Sequence, residues 1–276
     1  MTAVKRPPLK PLLLTSPHSG EAVPDEAPWL SVLPETLLMF DVDRYVDQLY
    51  QPVIDKWHIS FVKAEWHRYA VDLNRLAEDV DADSVVGHAN PPGKFPRGLH
   101  WSITTTRQKL MPKPMPSAVH EILVQKYFEP FHRQVQSQLE ALRQAGAKTT
   151  YHIDLHSMPS VGTSEHLDPG EHRKDIVIGD REGKSCSSDF KDLVTNQYAR
   201  AGFKVGYNWP YKGGRLTEFY GQPAKNQHTI QVELSRGLYM DEKTKQKIPS
   251  KFAEVQKKLA VAIEGIYAAL PNITLQ

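Results

Sequence analysis

Three stretches of this 276-residue chain carry side chains that could bind a cation and move a proton. Ser16-Pro17-His18-Ser19-Gly20-Glu21 places an imidazole and a carboxylate three residues apart. It directly follows a short apolar run, Pro11 to Thr15, that reads as a strand, so His18 and Glu21 are expected in the loop at a strand's carboxyl end, where open α/β sheets hold their ligands. Such a pair can converge on one metal, or it can merely cap a turn; a third ligand decides. Tyr151-His152-Ile153-Asp154-Leu155-His156-Ser157 offers it. Period-two alternation puts His152, Asp154 and His156 on one face of a strand and the apolar residues on the other. A carboxylate and two imidazoles on a buried face cost too much desolvation to be idle packing unless they pair or bind a cation. Two histidines and a carboxylate are a common catalytic zinc set that leaves one position open for water.

Two further segments could complete such a site. In Thr229-Ile230-Gln231-Val232-Glu233-Leu234-Ser235-Arg236, Ile230, Val232 and Leu234 face the core, while Gln231, Glu233 and Ser235 face a cleft or solvent. A glutamate beside a zinc-bound water can take its proton and later deliver it to a leaving amine. His67-Arg68-Tyr69-Ala70-Val71-Asp72-Leu73-Asn74-Arg75 reads as an arginine followed by a short strand that ends in amide and guanidinium donors, a combination suited to a carboxylate.

The elements that must position these residues follow from apolar spacing. Strands are expected at Pro11 to Thr15, Ile59 to Val62, Tyr69 to Leu73, Thr150 to Leu155, Asp175 to Ile178, Phe203 to Tyr207 and Thr229 to Leu234. Helical spacing covers Val42 to Trp57, Ser117 to Ala145 with an irregularity at Pro130, Ser188 to Ala201, and Ser250 to Leu270. The alternation predicts an α/β fold, a mixed, mainly parallel sheet sandwiched by helices. Residues 76–116 lack a period and are rich in Pro and Gly, which predicts a long surface excursion inserted in one domain spanning 1–276.

Lys and Arg total 34 against 32 Asp and Glu, a net charge of +2, so no polyanionic partner such as nucleic acid is indicated and a small molecule is expected. A lone Cys186 excludes an intrachain disulfide and a multi-cysteine metal site. After Lys5, Arg6 and Lys10, the apolar run Leu12-Leu13-Leu14 is too short for a signal peptide or a membrane span, and a cytoplasmic protein is expected. Nothing in the sequence fixes the oligomeric state.

Six ordered blocks resemble the N-formylglutamate amidohydrolase family, from about Leu14 to Asp241. They are Pro17-His18-Ser19-Gly20, the Asp43 to Tyr50 segment, Arg68-Tyr69 with Val71 to Arg75, Asp154 to Met158, Asn208 to Gly214, and Gln231 to Met240. The family is similar in turn to zinc carboxypeptidases and aspartoacylases. The resemblance implies zinc held by His18, Glu21 and His156, with Asp43 as the alternative carboxylate ligand. It implies Glu233 as acid and base, Arg68 at the oxyanion, and Asn74 and Arg75 at the substrate's α-carboxylate. For an acidic side chain, Lys212, Arg215 or Arg236 would supply a second cation, and Gly213-Gly214 would let the backbone approach the ligand. The implied reaction is removal of a short acyl group, formyl first, from an N-acyl amino acid such as N-formylglutamate. A peptidase or peptidoglycan amidase on the same scaffold, and a non-catalytic binding protein, are the competing readings.

Overall fold

A computed structural model of the protein describes residues 9–273; Lys5 and Arg6 lie outside them. The elements in order are β1 (Leu12–Ser16), α1 (Glu35–Leu38), α2 (Val46–Trp57), β2 (Ser60–Lys63), α3 (Ser117–Leu123), α4 (Glu129–Gln144) and β3 (Thr150–Met158). There follow β4 (Ile176–Gly179), α5 (Ser188–Arg200), β5 (Val205–Tyr207), α6 (Arg215–Tyr220), β6 (Gln227–Ser235), β7 (Met240–Asp241), β8 (Gln246–Lys247) and α7 (Pro249–Ala269). Strands β2-β1-β3-β6-β4-β5 form one sheet in that order. The β1, β2, β3 and β6 ladders are parallel, whereas β4 runs antiparallel to β6 and parallel to β5. The sheet is therefore mixed and mainly parallel, as the alternation of periods requires.

Strand alternation divides the core into two layers. Leu12, Leu14, Ile153, Leu155, Ile230 and Val232 point to one face, where they pack with residues of α2, α5 and α7. Leu13 points to the other, toward α4 and the segment after β2. That second face also receives the polar residues of β3 and β6.

Helix α4 is preceded by a π-helical turn at Val124–Phe128. This is the irregularity anticipated at Pro130, which has no N–H to donate and whose ring collides with a regular preceding turn. Ser187 caps α5 by accepting the Phe190 N–H.

Two expectations are corrected. Tyr69 to Leu73 is a turn and an irregular buried path, not a strand. The Asp72 carboxylate accepts the Asn74 N–H two residues on, and Ala70 N–H closes on His67 O, so local turn bonds replace a ladder. The 76–116 segment lacks long regular elements but is no surface loop. Val80, Val85, Leu99, Trp101 and Met115 are buried in the second core layer. Backbone bonds tie the segment to the turn before it, from Asp72 N to Leu99 O (2.8 Å) and from Trp101 N to Tyr69 O (3.1 Å). Among the described residues no helix is long and apolar enough to cross a membrane.

Candidate active site

Parallel register brings the polar faces of three strands together. Thr15 lies opposite Asp154, Asp154 opposite Gln231, and His156 opposite Glu233, with the last pair near the carboxyl ends of β3 and β6. His18 sits just past the end of β1. Its carbonyl accepts the Asp43 N–H at 2.9 Å, which fixes the aspartate between β1 and the start of α2. Tyr45, two residues on, has φ +70°, a left-handed conformation that costs a non-glycine residue energy. The buried turn around Asp43 holds it there.

His18, Asp43 and His156 thereby offer one ligand atom each within 4.8 Å of one another, all buried. His156 Nδ1 lies 3.0 Å and His18 Nδ1 3.6 Å from Asp43 Oδ2. The opposite ring nitrogens face carboxylates: His18 Nε2 is 2.7 Å from Asp72, and His156 Nε2 is 2.7 Å from Asp154. Both imidazoles are thus oriented from behind so that Nδ1 points to the shared space. Thr15 donates its hydroxyl to Asp154 at 2.6 Å and accepts from His152 at 2.8 Å, so His152 supports the cluster without entering it.

Charges follow from this packing. Burial opposes ionisation of Asp43, yet its contacts with His156 and His18 hold it well below the usual carboxylate range. Burial disfavours a charged His156, but Asp154 and Asp43 together raise it well above an ordinary imidazole. Glu233 moves the other way. Burial, reinforced by the nearby Asp43 charge, pushes it up to about 7. One of its oxygens accepts from Gln231 at 2.8 Å.

Arg68 and Arg236 flank the cluster. Arg68 donates to Asp72 at 2.9 Å and to the Asp41 carbonyl at 2.9 Å, and its guanidinium lies over the Trp101 ring at 4.5 Å. Its Nε–H is buried without a hydrogen-bond partner among the described residues. Arg236 is committed to Asp43 at 3.0 Å and to Ser157 at 3.0 Å. The Asn74 amide oxygen accepts the Leu216 N–H at 2.7 Å, and its Nδ2 lies 3.5 Å from His156. Gly214 is needed here, because a Cβ on it would come within 2.3 Å of that Nδ2.

These groups line one cavity of about 330 Å³, a size suited to a small ligand. Of the residues singled out from sequence, His18, Asp43, His156, Glu233, Arg68, Asn74, Arg75, Lys212, Gly213, Gly214 and Arg236 reach it. Glu21 and Arg215 do not. Glu21 pairs with Arg44 at 2.9 Å, half out of the protein, while Asp43 occupies the place beside the imidazoles. Arg215 opens α6, pairs with Glu218 at 3.4 Å and lines a separate groove. Lys212 stands at the rim, its ammonium on Glu182. Sequence reasoning gave no role to Arg97, Asp41 and His166, which also line the cavity and come from segments without a readable period.

A buried aspartate–imidazole set and a carboxyl pushed up to about 7 thus meet at the ends of parallel strands, in a chain that is a hydrolase acting on linear amide bonds. The chain belongs to the N-formylglutamate amidohydrolase family, whose model matches residues 10–240. The N-formylglutamate deformylase of Pseudomonas putida is 30% identical over 234 residues, covering 84% of this chain and 82% of the relative. That of Pseudomonas aeruginosa is 29% identical over 236 residues, covering 84% and 83%. The crystal structure of N-formylglutamate amidohydrolase from Ralstonia eutropha JMP134 superposes with a TM-score of 0.83 at 27% identity, covering 97% of this chain and 96% of that one.

Proposed function

We propose that this protein is a zinc-dependent deformylase acting on N-formylglutamate in the cytoplasm, releasing formate and glutamate. The observation that carries this reading is the convergence of His18 Nδ1, His156 Nδ1 and an Asp43 oxygen beside Glu233, in a chain of this family.

The donor set fits a divalent cation. Two imidazoles and one carboxylate, each imidazole backed by a second carboxylate, form a site with excess negative charge once the rings are neutral, and a dication balances it. His18, Asp43 and His156 would hold the zinc, with Asp43 and not Glu21 as the carboxylate. Zinc in such a site supplies Lewis acidity and lowers the pKa of water in its coordination sphere toward about 7.

The chain's own groups perform the rest. Glu233, poised near neutrality, takes the proton of the attacking water as the new C–O bond forms at the formyl carbon. Arg68, which lines the cavity, faces the oxygen that gains negative charge. Glu233 then returns the proton to the amide nitrogen as the C–N bond breaks. Arg75, next to Asn74 and the imidazoles, takes the α-carboxylate.

The test is elemental analysis of the purified protein together with formate and glutamate release from N-formylglutamate, with and without chelation. One zinc per chain and turnover abolished by chelation are expected. Turnover that survives complete metal removal sinks the zinc reading, and turnover of acyl-peptides in preference to N-formylglutamate sinks the substrate.

A further inference from the structure

The cavity's cations divide by what they are tied to. Arg68 is paired with Asp72 and Arg236 with Asp43, both buried, and Lys212 is paired with Glu182 at the rim. Arg215 lies outside the cavity altogether. Two guanidinium groups remain. Arg75 gives two N–H groups to backbone carbonyls, of Arg97 at 3.0 Å and of Asn74 at 3.0 Å, and has no ion-pair partner among the described residues. Arg97 has neither an ion pair nor a side-chain hydrogen bond among them, although it is half-buried and lines the cavity.

Two like charges facing one small space repel unless an anion enters, and a guanidinium fork matches a carboxylate bidentately. Position separates their tasks. Arg75 adjoins Asn74, which reaches His156, and with His18 and Arg68 it offsets the burial of Asp72. Arg97 shares the cavity wall with His166, whose imidazole is lowered mainly by burial and Arg173. The backbone around Arg97 is fixed: its carbonyl takes the Arg75 Nε–H, it bridges to Trp101, and a Cβ on Gly98 would come within 1.9 Å of the Asp79 carbonyl.

We infer that Arg97 selects an acidic side chain, pairing with the substrate's distal carboxylate while Arg75 holds the carboxylate beside the scissile amide. This rests on the reading of the site as an N-acyl amino acid hydrolase and adds what sets its side-chain preference. The segment 76–116 then serves as the wall that carries specificity.

The experiment compares N-formyl-L-glutamate with its near-isosteric neutral analogue N-formyl-L-glutamine in the metal-loaded wild type and in Arg97→Gln, Arg97→Lys and Arg75→Gln. A charge-assisted hydrogen bond is worth roughly ten- to a hundredfold, so Arg97→Gln should reduce the glutamate-over-glutamine ratio of kcat/KM by about that factor, mainly through KM. Arg97→Lys should restore part of the ratio. Arg75→Gln should impair both substrates and leave the ratio within about threefold. An unchanged ratio in Arg97→Gln, or a ratio lost in Arg75→Gln instead, overturns the assignment. Calorimetric binding of L-glutamate and L-glutamine gives a readout independent of turnover. If neither formyl compound is hydrolysed, the proposed function fails, yet a preference for L-glutamate that Arg97→Gln removes still supports Arg97. Equal binding of both amino acids by the wild type, or of neither, overturns it.

Discussion

His156 and Glu233 are register partners across the β3–β6 ladder, on the same polar face of the sheet. An imidazole that faces Asp43 and a carboxyl poised near pH 7 are therefore held by backbone pairing and not by loops. Glu233→Gln keeps the shape of the side chain and an oxygen for the Gln231 amide, but it cannot accept a proton. Turnover should fall about a hundred- to ten-thousandfold with zinc content unchanged. A loss under about tenfold would put the base elsewhere.

Asp43 and Glu21 should separate cleanly. Asp43→Asn should weaken zinc binding at least about a hundredfold, beyond the roughly ten- to hundredfold effect of partners that only orient a ligand. Glu21→Gln should stay within about threefold of the wild type, since Glu21 faces Arg44. Chelator-buffered titration measures both, and equal affinities would remove Asp43 from the metal site.

Gly214→Ala tests the close approach to Asn74. The added Cβ must push the amide away from His156, and small displacements near a reacting centre cost on the order of a hundredfold in kcat/KM. Stability should drop by only about 1–3 kcal/mol, the usual cost of overpacking. Wild-type kinetics in a folded Gly214→Ala variant would show that Asn74 has no part in the reaction.

Buried neutral histidines predict acid sensitivity. His67 donates from Nε2 to Leu38 O and accepts the Tyr69 N–H at Nδ1, so a second ring proton would have to displace that donor. Burial lowers its pKa to about 4, against about 6.5 in an unfolded chain. Below about pH 6.5 the unfolded state binds more protons, so this histidine removes stability as pH falls from about 6.5 to about 4, at up to about 1.4 kcal/mol per pH unit. Urea unfolding at pH 7, 6 and 5 should show His67→Gln with a shallower slope than the wild type, by about 1 kcal/mol per unit. Parallel slopes would mean that His67 already shares its proton in the native state.

The sheet and its two chemistry-bearing strands are legible in the sequence because period two writes both faces: Ile153 and Leu155 against Asp154 and His156, Val232 against Glu233. Asp43 is reached only through the family resemblance, since it lies in an irregular turn before α2, and its place in the cluster depends on contact with His156, 113 residues away. Glu21 lies away from the His18–Asp43–His156 group for a local reason. Gly20 packs against the Glu65–Trp66 backbone and Ala22 bridges to Trp66, which turns the chain so that Glu21 points outward to Arg44. Arg97 is hidden in the same way, because its neighbours Pro96 and Gly98 announce a turn but not which cavity the turn faces.

Strand order bears on how the molecule can be made. The last strand of the large sheet in sequence, β6, is inserted between β3 and β4, so β2-β1-β3 and β4-β5 have no ladder joining them until residues 227–235 arrive. During synthesis, most of the chain must leave the ribosome with two unpaired strand edges, a state prone to aggregation. Because β6 carries Glu233, the event that seals those edges also brings that carboxyl opposite His156.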